Sequence, residues 1–389
     1  MSGRGVLMVT GAYWPELSGG GLQCRTMIDA LRDRFHFRVF TTCTDRALRR
    51  DDEVDGIPVH RAYVDLARRS TKLSAAIRAL RCFRRYHHTF DIVHLHGFSQ
   101  KSVLIVVLAL LYRKKLVLTI HTAGHDEARA ARQRGRLAYW AYRQADVYIA
   151  ISSRIAHNYL AAGMPNSRLR LASNGVDVSR FHPPSRAERD RAREALGNLS
   201  ADLYWILFVG FFSKEKGPDV LFDAWLSMQA SAPPSGLLFV GATESDYHEV
   251  DSTLAAGIVE RARASGLSER VRFTGALAKV EQAYHAADLF VMPSTREAFG
   301  MVLVEAMASA LPVIASTIPG VTDEIVAAGH TGVLVPPGDV TALAEALHRL
   351  LVDRAGATAM GADARVSVVK TYGIEAARQR WADVYDGLS

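Results

Sequence analysis

Short apolar runs alternate with longer stretches of mixed polarity along the whole of this chain. Each run is rich in Val, Ile, Leu and Phe, as strands of a parallel sheet are when helices cover both of its faces. The runs read VLMVT, FRVFTT, PVHRAY, IVHLHG, KLVLTIH and VYIAIS in the first half, and YWILFVG, LLFVGA, VRFTG, LFVMPS, PVIAS and GVLVP in the second. Because the alternation of strand and helix runs through twice, the pattern predicts an α/β fold with two Rossmann-like domains.

The length supports this division, because 389 residues can give each of two domains a full core. We place the N-terminal domain at residues 1–183, the C-terminal domain at 184–371 and a last helix at 372–389. A Pro- and Arg-rich stretch, 180–193, lies near the predicted join. Ligands of such folds bind beyond the carboxyl ends of the strands, so the loops that follow the strands are the candidate functional segments.

The two halves of the chain differ in charge. Residues 1–180 contain 29 Lys and Arg against 14 Asp and Glu, whereas residues 181–389 contain 18 against 26, and the whole chain has a formal net charge of +7. A basic N-terminal half favours an anionic partner such as nucleic acid, a membrane surface or a phosphorylated acceptor.

The most basic segment, Leu66–His88, has seven Lys and Arg and no acid. At helical spacing its apolar residues Leu73, Ile77 and Leu80 share one face with Ala76, and arginines lie on the flank. Two interpretations stay open. The helix is either drawn to an anionic lipid surface, or packed on the sheet with a charged outer face.

Cysteine usage and the apolar runs bear on the compartment. The three cysteines, Cys24, Cys43 and Cys82, are widely spaced and fit reduced cytosolic thiols. The N-terminus runs into a strand without a signal-peptide pattern. The longest apolar run, Val103–Leu111, is too short to cross a bilayer and predicts a buried helix. We therefore expect a cytoplasmic protein, peripheral on the inner face of the plasma membrane if the basic segment binds lipid.

Two glutamates eight positions apart, Glu297 and Glu305, carry the main chemical signal. The run DLFVMPS precedes them, so Glu297 lies in a loop at the carboxyl end of a strand. Phe299 and Gly300 open a helix, and Glu305 lies roughly 7–8 Å along its axis. The free N–H groups and positive dipole end of a helix start suit a phosphate. A diphosphate there would have a sugar beside Glu297 and a ribose near Glu305, which is how a nucleotide-sugar is held.

This block, REAFGMVLVEAMASALP, resembles the E-x7-E signature of the retaining family 4 glycosyltransferases, and other segments match in the same order over nearly the whole chain. The resemblance implies a GT-B fold, in which two Rossmann-like domains face each other across a cleft and the last helix packs back on the first domain. It also implies that Glu297 contacts the donor sugar and that Glu305 binds ribose hydroxyls. Backbone N–H groups in the donor site would come from Phe299, Gly300 and Met301, and Val302 would also belong to that site.

A second donor segment, VGFFSKEKGPD, follows the first strand of the second half. By the same resemblance Gly210 and Lys216 belong to the donor site, with the ammonium on the donor diphosphate, where a compact cation stabilises a leaving phosphate. The family usually has an arginine directly after the glycine matched by Gly210, and here that residue is Phe211. Arg296, Lys214 or an arginine of the N-terminal domain is a possible replacement. A further loop, FTGAL, would hold the nucleotide base through backbone groups near Leu277.

The first loop of the chain, TGAYWPELSGGGLQ, leads into a helix near Leu22. Its glycines, Gly20 and Gly21 among them, allow the backbone close to a phosphate. The loop lacks the G-x-G-x-x-G spacing, so a simple NAD site is not favoured. In the family such a loop faces the donor diphosphate and the acceptor.

Three histidines end strands: His94, His96 and His121. A zinc site is one interpretation of His94 and His96, but no other ligand stands at a usual spacing, and a structural role is favoured for both. His121 resembles the family histidine at the transferred sugar. We assign the acidic segment DDEVDG, 51–56, to a solvated turn, and SNGVD, 173–177, no catalytic role.

The sequence therefore predicts a retaining hexosyltransferase that needs neither metal nor cofactor. Its partners would be a nucleoside diphosphate sugar and a hydroxyl acceptor that is a glycan, a lipid-linked molecule or a small molecule. We do not expect nucleic acid among its partners. The predicted catalytic residues are His121, Lys216 and Glu297, and the departing phosphate is expected to take the acceptor proton. The alternatives are a nucleotide-sugar epimerase or hydrolase of the same fold, and a non-catalytic nucleotide-sugar-binding subunit.

Overall fold

A computed structural model of the protein describes residues 4–16, 18–65, 67–122, 124–243 and 250–388. The chain forms two compact units, each with its own sheet and core. The N-terminal unit contains residues Met1–Gly175 and Glu375–Ser389, and the C-terminal unit contains Val176–Ile374. The division falls at 175/176, eight residues before the join predicted from the sequence, and the last helix belongs to the N-terminal unit.

The N-terminal unit is built on an eight-stranded sheet with the strand order β3-β4-β2-β1-β5-β6-β7-β8. All neighbouring strands are parallel except β3 and β4. The strands are β1 (Gly5–Thr10), β2 (His36–Cys43), β3 (Asp51–Val54), β4 (Ile57–Tyr63), β5 (Ile92–His96), β6 (Lys115–Ile120), β7 (Val147–Ala150) and β8 (Leu169–Leu171). Strands β2, β4 and β3 lie on one side of β1, and β5 to β8 lie on the other. The strand order therefore reverses between β1 and β5.

Helices cover this sheet, because most of its strands are apolar on both faces. They are α1 (Gly19–Leu31), α2 (Arg69–Tyr86), α3 (Ser102–Leu111), α4 (Ala128–Gln133), α5 (Arg136–Tyr142), α6 (Ser153–Ala161) and the last helix, α15 (Ile374–Asp386). The last helix is tied to the sheet by its own residues. The Tyr385 hydroxyl lies 2.7 Å from His94 Nδ1 on β5, and Arg4 donates to the Tyr385 carbonyl.

The C-terminal unit is built on a six-stranded parallel sheet with the order β11-β10-β9-β12-β13-β14. Its strands are β9 (Tyr204–Val209), β10 (Ser235–Val240), β11 (Val271–Phe273), β12 (Leu289–Met292), β13 (Val313–Ser316) and β14 (Val333–Val335). Counted within the unit this is the order 3-2-1-4-5-6 of dinucleotide-binding folds, whose ligands bind where the order reverses. That point lies between β9 and β12.

The helices of the C-terminal unit are α7 (Arg186–Ala195), α8 (Pro218–Ser227), α9 (Ser252–Ala264), α10 (Glu281–Ala286), α11 (Met301–Ala308), α12 (Thr322–Ile325), α13 (Val340–Val352) and α14 (Arg354–Tyr372). Aromatic and aliphatic residues of β9 and β10 pack against α8 and α13 in a core that includes Phe208, Phe212, Trp225 and Leu347. This core fixes the strand ends, and with them the loops that carry the candidate site.

The two Rossmann-like sheets confirm the predicted α/β class, but three local predictions need correction, those for β3, β8 and α3. Two short strands, β3 and β8, were missed. The acidic segment predicted as a turn is a strand over Asp51–Val54, because His60 and Arg78 pair with Asp51 and Arg61 pairs with Asp52.

The third correction concerns α3, and the structure also shows which way α2 faces, a question that the sequence left open. Helix α3 was predicted as a buried helix, but it leaves Leu111 70% exposed. The apolar face predicted for the basic helix α2 points outward. Leu73 is 65% exposed, Ile77 42% and Leu80 47%, whereas Ala79, Cys82 and Phe83 are the buried residues of the helix. The segment predicted for this helix began at Leu66, which lies outside the described residues.

Candidate active site

Two loops of the C-terminal unit meet where its strand order reverses. Lys216 lies in the loop after β9 and Glu297 in the loop after β12, and Lys216 Nζ lies 2.6 Å from Glu297 Oε1. The Ser294 hydroxyl donates to the same carboxylate oxygen at 3.0 Å. The Glu297 side chain is only 12% exposed and that of Lys216 27%. An ammonium has three N–H donors, so Lys216 can hold Glu297 and a second anion together.

The same two loops lead into helices that start without a side-chain cap. Gly217 precedes α8 with φ +68°, and Gly300 precedes α11 with φ +93°, and both have left-handed backbone that glycine adopts without strain. The first N–H groups of α11, and those that follow Pro218 in α8, have no partner within their helix. These donors, including those of Met301 and Val302, and the dipole ends favour a negatively charged ligand.

Glu305 is the fifth residue of α11, as its spacing from Glu297 predicted. Its carboxylate accepts a hydrogen bond of 2.8 Å from the Tyr284 hydroxyl of α10. Burial raises the pKa of Glu305 to about 7, against the opposing effects of the Tyr284 hydrogen bond and the charge of Arg180. The two glutamates of the signature therefore differ, because Glu297 is paired with a cation and Glu305 with a neutral phenol.

The remaining donor residues predicted from the sequence lie in loops at the same sheet edge. Gly210 directly follows β9, and its N–H donates to the Val240 carbonyl at 2.9 Å; Gly241 N–H in turn donates to the Gly275 carbonyl at 3.0 Å. Leu277 is half-buried in the loop after β11, which also contains Gly275. Phe299 is buried, and its ring contacts that of Tyr372 with centroids 5.6 Å apart. Phe299 therefore anchors the start of α11 to α14.

The position after Gly210 departs from the family pattern. Phe211 is 43% exposed in the loop between β9 and Lys216. Of the cations considered as replacements for the missing arginine, Arg296 is paired with Glu215 at 2.8 Å. Lys214 is exposed, and its charge helps to lower the pKa of Asp251. Lys216 is therefore the cation that the C-terminal unit directs at Glu297.

In the N-terminal unit the glycine loop lies against the histidine at the end of β6. Ser18 caps α1, accepting from the Gly21 N–H at 3.0 Å, so the helix begins at Gly19, three residues before the predicted start. A Cβ on Gly20 would lie 3.5 Å from His121 Cδ2. The structure thus brings Gly20 and His121, predicted as separate contributors, into contact.

The three histidines form a stack rather than a metal site. His94 and His96 have ring centroids 4.4 Å apart, and His96 and His121 5.2 Å apart, with His96 Nδ1 3.1 Å from His121 Nε2. His94 also contacts the Thr119 hydroxyl, which fits the structural role predicted for it. Burial lowers the pKa of His121 to about 4 and that of His94 to about 3. All three rings are therefore neutral near pH 7, and His121 offers a hydrogen bond rather than a charge.

Sequence reasoning missed three residues that hold these groups in place. Asp126 accepts backbone N–H groups of Phe98, His121 and Thr122 at 3.0–3.2 Å and so joins the loops after β5 and β6. Tyr284 and Ser294 orient the two glutamates. An acid five residues after a strand-end histidine was visible in HTAGHDE, but nothing in the sequence marks Tyr284 as a partner of Glu305.

Within the described residues, no three or more His, Cys, Asp and Glu side chains are grouped as a metal ion would require. Chemically, the C-terminal loops offer hydrogen-bond donors and positive charge to an anion. They combine two helix starts and an ammonium at one sheet edge, beside two carboxyl groups whose oxygens can accept hydrogen bonds.

Two family models match this chain. The model described as Glycosyltransferase Family 4 matches residues 17–180, and the model described as Glycosyl transferases group 1 matches residues 204–353. Among curated proteins, a D-inositol 3-phosphate glycosyltransferase of Corynebacterium urealyticum is 30% identical over 80% of this chain and 73% of its own length. The lipopolysaccharide core mannosyltransferase LpsB of Rhizobium meliloti is 32% identical over 63% of this chain and 67% of its own length.

Solved structures share the fold of the chain. HepE of Anabaena, crystallised with UDP and glucose, superposes with a TM-score of 0.80 at 21% identity over 98% of this chain and 99% of its own. WaaG, a glycosyltransferase of lipopolysaccharide biosynthesis, superposes with a TM-score of 0.74 at 18% identity over 97% and 99%. The predicted GT-B class, with two Rossmann-like domains, is confirmed.

Proposed function

This chain belongs to the family 4 glycosyltransferases (glycosyl transferases group 1) and is a glycosyltransferase, and from that premise we propose that it is a retaining enzyme that moves a hexose from a nucleoside diphosphate sugar to a hydroxyl acceptor. One observation carries the proposal. Lys216 Nζ lies 2.6 Å from Glu297 Oε1 where the strand order of the C-terminal sheet reverses, beside two helix starts that have no side-chain cap.

The C-terminal unit would hold the donor along α11. The diphosphate would accept from the N–H groups at the start of the helix and from Lys216, while Glu297 accepts from hydroxyls of the hexose. Glu305, one and a half turns further on, would accept from the ribose. The UDP complexes of HepE, which shares this fold, support a nucleotide as part of the donor.

The transfer would keep the configuration of the anomeric carbon. The bond between that carbon and the diphosphate oxygen breaks with its electron pair going to the diphosphate, and the acceptor oxygen attacks from the same face. The acceptor proton passes to the departing phosphate oxygen. Stabilising the negative charge of the leaving group is then the main catalytic contribution of Lys216 and the helix starts. His121, neutral and beside Gly20, would donate or accept a hydrogen bond at the transferred sugar.

A panel of UDP- and GDP-linked hexoses tests donor binding. A donor that binds the folded protein raises its melting temperature by mass action, and the shift is expected in the presence of EDTA as well. No shift with any nucleotide-sugar would contradict the proposal. NMR of the product formed from a bound donor and candidate acceptors then reads the anomeric configuration, and inversion would exclude the retaining mechanism.

The two alternatives give different outcomes in the same assay. An epimerase or hydrolase converts the donor at an equal rate with and without acceptors, whereas a transferase releases nucleotide faster when an acceptor is present. A non-catalytic subunit shows binding without turnover. Nucleotide release that rises with acceptor, and falls on Glu297→Gln, identifies the transferase.

We also propose that the outer face of α2 binds an anionic membrane surface. Leu73, Ile77 and Leu80 are exposed on one side of the helix, with Arg69 and Arg84 at the ends of the same stripe. No helix in the described part of the chain has the length and apolar character to cross a bilayer. Sedimentation with vesicles rich in phosphatidylglycerol should retain the wild-type protein, and neutral phosphatidylcholine vesicles should not.

A matched pair of variants tests this face. Leu73→Glu should abolish sedimentation with anionic vesicles, whereas Leu111→Glu, at a residue as exposed on another helix, should leave it unchanged. Equal losses would show that α2 is not the membrane-binding face.

A further inference from the structure

A cavity of about 820 Å³ lies within the N-terminal unit, at the carboxyl ends of β1, β5 and β6. It includes Gly20 and His121, so it adjoins the residues proposed to lie at the transferred sugar. Its floor and walls are largely apolar and include Phe40, Leu95 and Ile105. A cavity of this volume is in the range of small-molecule sites.

Helices α2 and α3 supply two walls of this cavity. From α2 the inward residues are small, Ala75, Ala76 and Ala79, and leave space for a ligand. Lys72 lies one turn before Ala76 on the same helix, and Lys101 directly precedes α3. The two lysines therefore come from two separate elements and line the same cavity.

The four charged residues in the lining are not equivalent. Asp126 is buried and holds three backbone N–H groups, and Arg134 donates to the Phe98 carbonyl at 3.1 Å and lies near Asp126, whose pKa its charge helps to lower. In the described part of the chain, Lys72 and Lys101 have neither an ion pair nor a hydrogen-bond partner for their side chains.

The two ammonium groups also influence each other. Burial, and then the charge of Lys72, lowers the pKa of Lys101. Two like charges without a counter-ion repel each other, and an anion between them would remove that cost. A lysine ammonium is a compact charge that binds phosphate without demanding the planar geometry that arginine recognises. Together with the first turn of α3, whose dipole end is positive, the lysines give this part of the cavity a positive charge.

We propose that the acceptor of this enzyme carries an anionic group of the phosphate class, which Lys72 and Lys101 hold at the mouth of the cavity while the rest of the acceptor occupies the space beside Gly20 and His121. The proposal rests on the proposed function, since it names the acceptor class of the same reaction. In this view the lysines determine acceptor specificity and take no part in the chemistry at the anomeric carbon.

Three probes distinguish charge from apolar contact, each titrated calorimetrically without donor: n-octyl phosphate, n-octyl β-glucoside and glucose 1-phosphate. We expect octyl phosphate to bind at least tenfold more tightly than octyl glucoside. Octyl phosphate binding more tightly than glucose 1-phosphate would indicate a lipid-linked acceptor, and equal binding a soluble phosphorylated one. Octyl glucoside binding as tightly as octyl phosphate would overturn the proposal.

Matched variants locate the binding. Lys72→Gln and Lys101→Gln should each weaken octyl phosphate binding about tenfold. Lys115→Gln removes the same charge at the amino end of β6, and Arg129→Gln removes one from the exposed side of α4; both should leave binding unchanged. Equal effects of all four variants would also overturn the proposal, because they would reflect general attraction to a basic domain.

Donor binding separates this proposal from the proposed function. Thermal shifts with nucleotide-sugars should be the same in Lys72→Gln, Lys101→Gln and wild type. If nucleotide-sugars bind and octyl phosphate shows no preference, only the acceptor class is wrong. If no nucleotide-sugar binds, the donor site itself is wrong, whichever probe the cavity prefers. When the true acceptor is found, the lysine variants should raise its KM and leave the rate of donor hydrolysis unchanged.

Discussion

Apart from the edge strands β3 and β8, the two sheets share the strand order 3-2-1-4-5-6, but the units differ in the chemistry at the point where that order reverses. In the C-terminal unit the loops after β9 and β12 bring together an ammonium, two carboxylates and two helix starts. In the N-terminal unit the loops after β1, β5 and β6 surround a largely apolar cavity whose lining includes neutral imidazoles and two lysines. A shared fold therefore provides two sites of similar position, and the side chains alone determine what each one binds.

The comparison also concerns what each site does to charge. In the C-terminal site the Glu297 carboxylate contacts the Lys216 ammonium at 2.6 Å, while burial raises the pKa of Glu305 to about 7. In the N-terminal site burial keeps His121 neutral. We expect activity at the C-terminal site to depend strongly on charge and on pH. The N-terminal site should depend mainly on the shape of the backbone and of the apolar cavity.

The largest expected effect is loss of the Lys216 ammonium. Lys216→Met should lower kcat/KM by about 10²–10³-fold, because the leaving diphosphate loses a cation that acts in the transition state. The variant leaves the largely buried Glu297 carboxylate with only its Ser294 hydrogen bond, which should cost about 1–3 kcal/mol of stability, so its melting temperature is measured beside its activity. Steady-state nucleotide release measures the effect.

The control for that experiment is Lys370→Met, which removes an exposed lysine from α14 of the same unit. It should retain wild-type activity. If both lysine variants kept full activity, the charge contrast drawn between the two units would be wrong.

The next effect tests whether the N-terminal site depends on shape. Gly21→Ala should lower the free energy of unfolding by about 1–3 kcal/mol, because the new Cβ would lie 2.3 Å from the Ala12 carbonyl oxygen. Gly20→Ala meets only His121 Cδ2 at 3.5 Å and should be tolerated in folding. Thermal unfolding of the two variants measures the difference, and equal stability would show that the loop adjusts freely.

A pH effect of about tenfold is expected in the C-terminal site. Below pH 7 Glu305 is protonated in the free protein and offers one hydrogen-bond acceptor fewer, so donor affinity should fall about tenfold between pH 8 and pH 6. Because the pKa of Glu305 is raised in the folded protein, ionisation of this residue lowers the stability of the fold as pH rises through 7. Ribose hydroxyls that donate to the carboxylate favour its ionised form and so lower that pKa. Calorimetry should use an intact nucleotide-sugar, whose diphosphate does not titrate in this range.

Glu305→Gln provides the control for the pH experiment. Its affinity should be lower than that of the wild type at pH 8 and should change little between pH 6 and pH 8. His94 and His121 have lowered pKa values and remain neutral throughout. An unchanged slope in the Glu305→Gln variant would assign the titration to another group.

The smallest effect is expected for Tyr284→Phe. The Tyr284 hydroxyl helps to lower the pKa of Glu305, so its removal should move the midpoint of the affinity profile to higher pH and weaken donor binding a few-fold at pH 7. Tyr204→Phe removes a hydroxyl that donates to the Asp288 carbonyl in the same unit and should leave the midpoint unchanged. A shift in the Tyr204 variant instead would contradict the role of Tyr284.

The amino-acid sequence by itself determined the double Rossmann-like pattern and the position of both glutamates around the start of α11. Those features depend on backbone periods of two and 3.6 residues and on glycines a few positions apart, so they can be predicted locally. Strands β3 and β8 escaped prediction because they are short and edge-like, with little apolar pattern of their own.

Only the tertiary structure decided which side chains meet. Lys216 and Glu297 are 81 residues apart, and a Gly20 Cβ would touch His121, which is more than a hundred residues away. The strand order creates these contacts, and no local spacing encodes it. The tertiary structure also decided the orientation of α2. The helical spacing of its apolar residues predicted an apolar face, but the neighbouring elements determine whether that face packs inward or meets solvent. The sheet takes Cys82 and Phe83 inward, which leaves Leu73, Ile77 and Leu80 outside.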